Sequence, residues 1–182
     1  MANKKWTLDK AHSEIQFKVK HLMITTVTGT FTQYEGVVET QGDDFSNAKV
    51  SFTADTASVS TGNTDRDGHL KSADFFNVEQ YPSLKFESTR IEKKDDNTYK
   101  LYGDMTIKNI TKNIQLDVEF SGLVKDPWGN TKAGVIVSGK INRKDFDLTW
   151  NVVTEAGGLL VGEDVKITCE VQLAEVAAEA VA

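Results

Sequence analysis

Asn113-Ile114-Gln115-Leu116-Asp117-Val118-Glu119-Phe120-Ser121 alternates apolar and polar residues without a break. Successive side chains of an extended chain point to opposite faces, so Ile114, Leu116, Val118 and Phe120 share one surface. The same period recurs over 14–21 (Ile15, Phe17, Val19), over 132–141 (Ala133, Val135, Val137, Gly139, Ile141) and over 165–173 (Val165, Ile167, Cys169, Val171, Leu173). Shorter runs lie at 48–54, 83–90 and 101–108. The stretch 27–40 alternates too, but its apolar phase slips between Phe31 and Tyr34, which predicts a bulge. One apolar face per strand is the antiparallel pattern. About eight such strands predict an all-β, single-domain antiparallel barrel, because closure removes the exposed edges.

Composition agrees. The 182 residues include 19 Thr and 18 Val, which suit a pleated surface, and only two prolines. The net charge of −6 argues against a nucleic-acid partner, which usually needs a basic patch. A single cysteine excludes an internal disulfide framework and fits a reducing compartment. No apolar segment follows Lys4 and Lys5 as a signal peptide would require, and none is long enough to span a bilayer. The expectation is a cytoplasmic protein without integral membrane insertion, or an exported one if a leader has been removed. Two segments escape the period-2 pattern. Residues 63–76 read as a short helical insert, and 174–182 as an Ala/Glu-rich tail following a barrel domain of 1–173.

No catalytic motif assembles. Asp9, His12 and Ser13 are close in sequence, but adjacent side chains on an extended chain face apart, so His12 does not readily activate Ser13. They read as hydrogen-bonding residues at a strand entry. The loop 63–74 spaces Asn63, Asp65, Asp67, Gly68 and Asp74 like a calcium loop, yet it ends in Asp rather than Glu and lacks an entering helix. A helix start with acidic residues near its dipole explains it better, and no metal site is assigned. Cys169, on an apolar strand face, is expected to be buried and inert. The segment 157–162 reads as an apolar loop rather than a nucleotide motif.

Several segments together resemble one family, the YceI-like proteins. They are 6–13 (Trp6-Thr7-Leu8-Asp9-Lys10-Ala11-His12-Ser13), His21 with 27–31, and 66–76 (Arg66-Asp67-Gly68-His69-Leu70-Lys71-Ser72-Ala73-Asp74-Phe75-Phe76). Tyr81-Pro82 leading to Phe86, then 103–108, 126–129 and 143–146, continue the match in order. The resemblance implies a lipocalin-like barrel enclosing an elongated apolar pocket for an isoprenoid chain, and a homodimer. After Asp145-Phe146 the family tends towards glycine, where this chain has Asp147.

An eight-stranded barrel is either filled by side chains or holds one small ligand. The inward sets mix bulky residues with small ones such as Gly103, Ala133 and Gly139, which leave volume unless something fills it. The leading expectation is a non-enzymatic carrier or sequestering protein for a long apolar lipid: a polyisoprenoid, an isoprenoid quinone or an acyl chain. By phase, its lining is Ile15, Phe17, Val19, Phe31, Tyr34, Phe52, Met105, Ile107, Leu116, Val118, Val135 and Val137. Phe75 and Phe76 close one end, and His21 or Arg66 meets a polar head. No cofactor is called for beyond such an isoprenoid-type lipid. The rivals are an enzyme using His12, His69, Asp65 and Asp67 in the pocket, and a packed, stress-associated protein with no ligand.

Overall fold

The computed structural model describes residues 3–152, 154 and 160–176. Its strands are β1 (Asn3–Leu8), β2 (Glu14–His21), β3 (Thr25–Phe31), β4 (Tyr34–Gln41), β5 (Asp44–Asp55), β6 (Val59–Ser60), β7 (Ser83–Lys93), β8 (Thr98–Ile107), β9 (Ile110–Lys125), β10 (Thr131–Asn142) and β11 (Val161–Glu175). Among the described residues one α-helix, α1 (Thr64–Lys71), interrupts them. Eight strands close a ring in the order β1-β4-β5-β7-β8-β9-β10-β11, because β11 pairs back onto β1 at Leu173 with Leu8. Every pairing is antiparallel, so the expected eight-stranded antiparallel barrel is what forms.

The remaining strands prolong the first three walls. A turn of 3-10 helix at Lys10–His12 kinks β1 into β2, and both run along the same edge of β11. The phase slip between Phe31 and Tyr34 is a corner rather than a bulge: Thr32 and Gln33 leave the ladder, β3 pairs with β2 and β6, and β4 pairs with β1 and β5. A strand that must turn from one wall direction to another cannot keep both ladders continuous, so two residues drop out. Strand β11 extends through Ala174 and Glu175, which pair with Thr7 and Trp6. The rest of the tail, at 177–182, lies outside the described residues, as do residues 157–159 of the apolar loop.

The predicted insert forms helix α1. The Asn63 side chain caps it by accepting from the Arg66 amide at 3.0 Å. Asp65 and Asp67 occupy the first turn and His69 and Lys71 the last, which complements the helix dipole. Among the described residues no helix is long and apolar enough to cross a membrane.

The barrel has unlike ends. At one, Trp6 is fully buried, donates to the Thr40 hydroxyl at 2.9 Å, and packs with Phe45, Tyr99 and Leu173 as a plug. At the other lie α1, the β2–β3 turn and the β10–β11 connection. Asp147 ends a 3-10 turn there with φ 59°, a left-handed conformation that glycine adopts freely and aspartate tolerates. That accounts for the departure from glycine at this position.

Candidate ligand-binding cavity

The interior is not filled by side chains. A cavity of about 670 Å³ runs along the lumen, from Phe45, Tyr99 and Leu173 at the plug to His69, Trp150 and Arg143 at the other end. Ligand pockets commonly span about 300–1,000 Å³. The small inward glycines keep it open indirectly, through the neighbours they admit. A Cβ on Gly29 would meet the Phe17 ring at 2.2 Å, one on Gly103 the Phe86 ring at 2.3 Å, and one on Gly139 the Leu116 side chain at 2.6 Å. Each glycine is a recess into which a neighbour's large side chain folds flat against the wall, and the lumen stays clear. Gly103→Ala should therefore push Phe86 inward and cost about 1–3 kcal/mol, read as a lower urea midpoint.

Ile15, Phe17, Val19, His21, Phe31, Phe52, Arg66, Phe75, Phe76, Met105, Ile107, Leu116, Val118, Val135 and Val137 all line the cavity. Tyr34 is not among the lining residues: it is buried in the wall, its ring stacks on Phe52, and its hydroxyl donates to the Ser13 carbonyl at 3.1 Å. Phe75 and Phe76 sit beside the end of α1, where Phe76 meets Phe31 edge-on and Phe75 packs on Trp150. His21 is half-buried at the end of β2. Arg66 is exposed at the rim, where Thr61 engages both its Nε and one Nη.

Further lining residues went unread. Phe86, Tyr99 and Leu101 lie in alternating runs and were accessible by extending the phase. Arg143 also continues an inward phase, that of Val137, Gly139 and Ile141, but a charged side chain is not expected inside. It is 2% exposed. Its guanidinium donates to the carbonyls of Gly162 (2.8 Å), Leu148, Trp150 (2.9 Å) and Val161 (3.2 Å). No carboxylate lies at ion-pair distance among the described residues. Burial pulls its pKa below the ordinary guanidinium value, opposed by the charge of Glu163.

Of the residues of the enzyme alternative, Asp65, Asp67 and His69 share α1, with Asp65 and His69 lining the cavity, and His12 lies elsewhere. His12, in the kink between β1 and β2, pairs with Asp9 at 3.0 Å. Ser13 is occupied by the Gln172 backbone, whose amide donates to its hydroxyl at 3.0 Å. His69 bonds Asp74 at 2.9 Å and stands edge-on to Trp150, while the Asp67 carboxylate accepts from the Thr61 amide and hydroxyl. Among the described residues no three His, Cys, Asp or Glu side chains gather to hold a metal.

Cys169 is buried in the wall, as its phase suggested, and burial pushes its thiol up from 9.0 to about 11. It should resist alkylation at neutral pH until the barrel is unfolded. Since the folded pKa is the higher one, its contribution to stability is complete below pH 9. That contribution, about 2–3 kcal/mol, should be lost as the pH rises to about 11, and Cys169→Ala should remove this dependence from alkaline unfolding curves.

Comparison with known proteins places this geometry. The model of the YceI-like domain matches residues 6–173. The UPF0312 protein SA2479 of Staphylococcus aureus strain N315 is 41% identical over 162 residues, covering 88% of this chain and 92% of that protein. The crystal structure of a Campylobacter jejuni YCEI protein superposes with a TM-score of 0.75 at 35% identity, covering 93% of this chain and 97% of that one. A polyisoprenoid binding domain from Saccharophagus degradans shares the fold at a TM-score of 0.66 and 16% identity, over 94% and 98% of the two chains. With a lumen-spanning barrel matched by the domain model almost from end to end, the chain belongs to the YceI-like family.

Proposed function

We propose that the barrel binds one long apolar lipid chain in its lumen, as a carrier or sequestering protein for a polyisoprenoid, an isoprenoid quinone or an acyl chain. The observation that carries this reading is the elongated cavity of about 670 Å³ between walls of Phe, Leu, Ile and Val side chains. Each methylene moved from water into such a lumen contributes about 0.8 kcal/mol, so ten carbons supply on the order of 8 kcal/mol before ordering costs. The Saccharophagus degradans domain, which shares the fold, is described as polyisoprenoid-binding. The closed plug receives the chain's far end. His21, Arg66 and Arg143, at the opposite end, face its polar terminus.

Solvent extraction of the purified protein followed by mass spectrometry tests the reading. Near-stoichiometric lipid of one chain class supports it. Protein that carries no lipid, and takes up none when offered geranylgeraniol or a quinone, overturns it.

A further inference from the structure

The turn joining β2 to β3 breaks the chemistry its backbone asks for. Leu22 and Met23 have positive φ, 52° and 59°, and the Ile24 amide donates to the His21 carbonyl at 3.1 Å. These are the signs of a type I′ turn, whose central positions favour Asn and Gly because a large side chain crowds its own backbone there. Leu22, Met23 and Ile24 are nevertheless 40%, 62% and 77% exposed. The tip accepts backbone strain and holds three large apolar side chains in water, two unfavourable choices at one place. Neither helps the core.

Its position gives the reason. The Leu22 amide donates to the Leu160 carbonyl at 2.8 Å, and the Leu160 amide donates to the Val152 carbonyl at 2.9 Å. Leu160 lines the cavity, as do Lys20 and His21 just before the tip, and Val152 is itself exposed. The apolar tip therefore stands at the end of the lumen opposite the plug. Other exposed apolar residues, Val124 and Trp128, lie about the β9–β10 turn at the plugged end.

We propose that the 22–24 turn, with Val152 beside it, inserts into the surface of a lipid bilayer and sets the end of the barrel opposite the plug against the membrane's apolar phase. This rests on the lipid-binding reading and names the partner that supplies or receives the chain. Exposing each methylene to water is unfavourable, so a long chain passes between membrane and lumen most easily where the two apolar phases touch. A turn already fixed in conformation loses little freedom on insertion. Charges around this end are mixed: Lys18, Lys20, Arg66, Lys71 and Lys144 stand against Asp65, Asp67, Asp74 and Glu163. Attraction is then carried by apolar contact, and neutral vesicles suffice at high as well as low salt.

Flotation of the full chain with phosphatidylcholine vesicles, wild type against L22N/M23G, tests this. The double variant installs the pair the turn prefers, so its Tm should be unchanged or higher. Its vesicle partitioning should fall at least about tenfold, with two apolar side chains withdrawn from the membrane, and its extractable lipid should stay the same. Wild type that does not float, or a variant that floats equally well, overturns the proposal. So does a variant whose only change is lost self-association, which would make the tip a contact between copies. The two readings fail separately: a lipid-free barrel that floats through its tip removes the carrier function alone, and a lipid-loaded barrel that never floats removes the membrane contact alone.

Discussion

Arg143→Met should lower stability by about 3–5 kcal/mol, because it strips buried backbone carbonyls of their donor. The methionine fills much of the aliphatic volume but donates nothing. The carbonyls of Leu148, Trp150 and Gly162 then lose their Arg143 donor in a buried place, at about 1–3 kcal/mol for each one left unsatisfied. The Val161 carbonyl is spared, because the Asn151 side chain also donates to it at 2.8 Å. For a domain of this size the loss corresponds to a drop in Tm of about 6–20 °C. Arg143→Lys should fall between, since an ammonium keeps the charge but cannot reach carbonyls in a planar fork. A methionine variant with a wild-type urea midpoint would show that the carbonyls find other partners, and that the guanidinium does not clamp this end of the barrel.

Val137→Trp should do the opposite, sparing the fold and abolishing cargo. Val137 is half-buried, paired across the ladder with Val118 and Cys169, and faces the cavity. An indole there has open space to enter, so overpacking should cost no more than about 1–3 kcal/mol. The same indole displaces several methylenes of a bound chain. At about 0.8 kcal/mol each, losing four to six removes about 3–5 kcal/mol, or two to three orders of magnitude in affinity. Extraction of the variant should yield little lipid while its circular dichroism stays that of a barrel. Unchanged lipid content would move the binding site out of the lumen.

Alternation made the walls legible. Ile114, Leu116, Val118 and Phe120, or Val165 to Leu173, reveal their inward face from period alone, because one strand's burial is a local property of its side-chain sequence. Strand β1 was missed for want of length: Trp6 and Leu8 are too few to show a period, and Lys4-Lys5 masks them as polar. Yet Trp6 is the plug of the barrel. The corner at Thr32 and Gln33 left its trace as a phase slip, but a slip does not say whether a ladder bulges or changes partners.

Whether the lumen is full or open could not be read from any single strand. Gly29 takes the ring of Phe17, Gly103 that of Phe86 and Gly139 the side chain of Leu116, all contacts between neighbouring strands. Such contacts depend on register, which pairs residues far apart in sequence. Arg143 shows the same limit from the polar side: its parity points inward, but only the folded chain brings the four carbonyls that make burial of its charge tolerable. The sequence by itself determined which faces turn inward, and hence an eight-stranded antiparallel barrel in an acidic chain. Tertiary structure decided that the barrel holds a cavity, because the space at its centre is what remains after side chains from different strands have packed against one another.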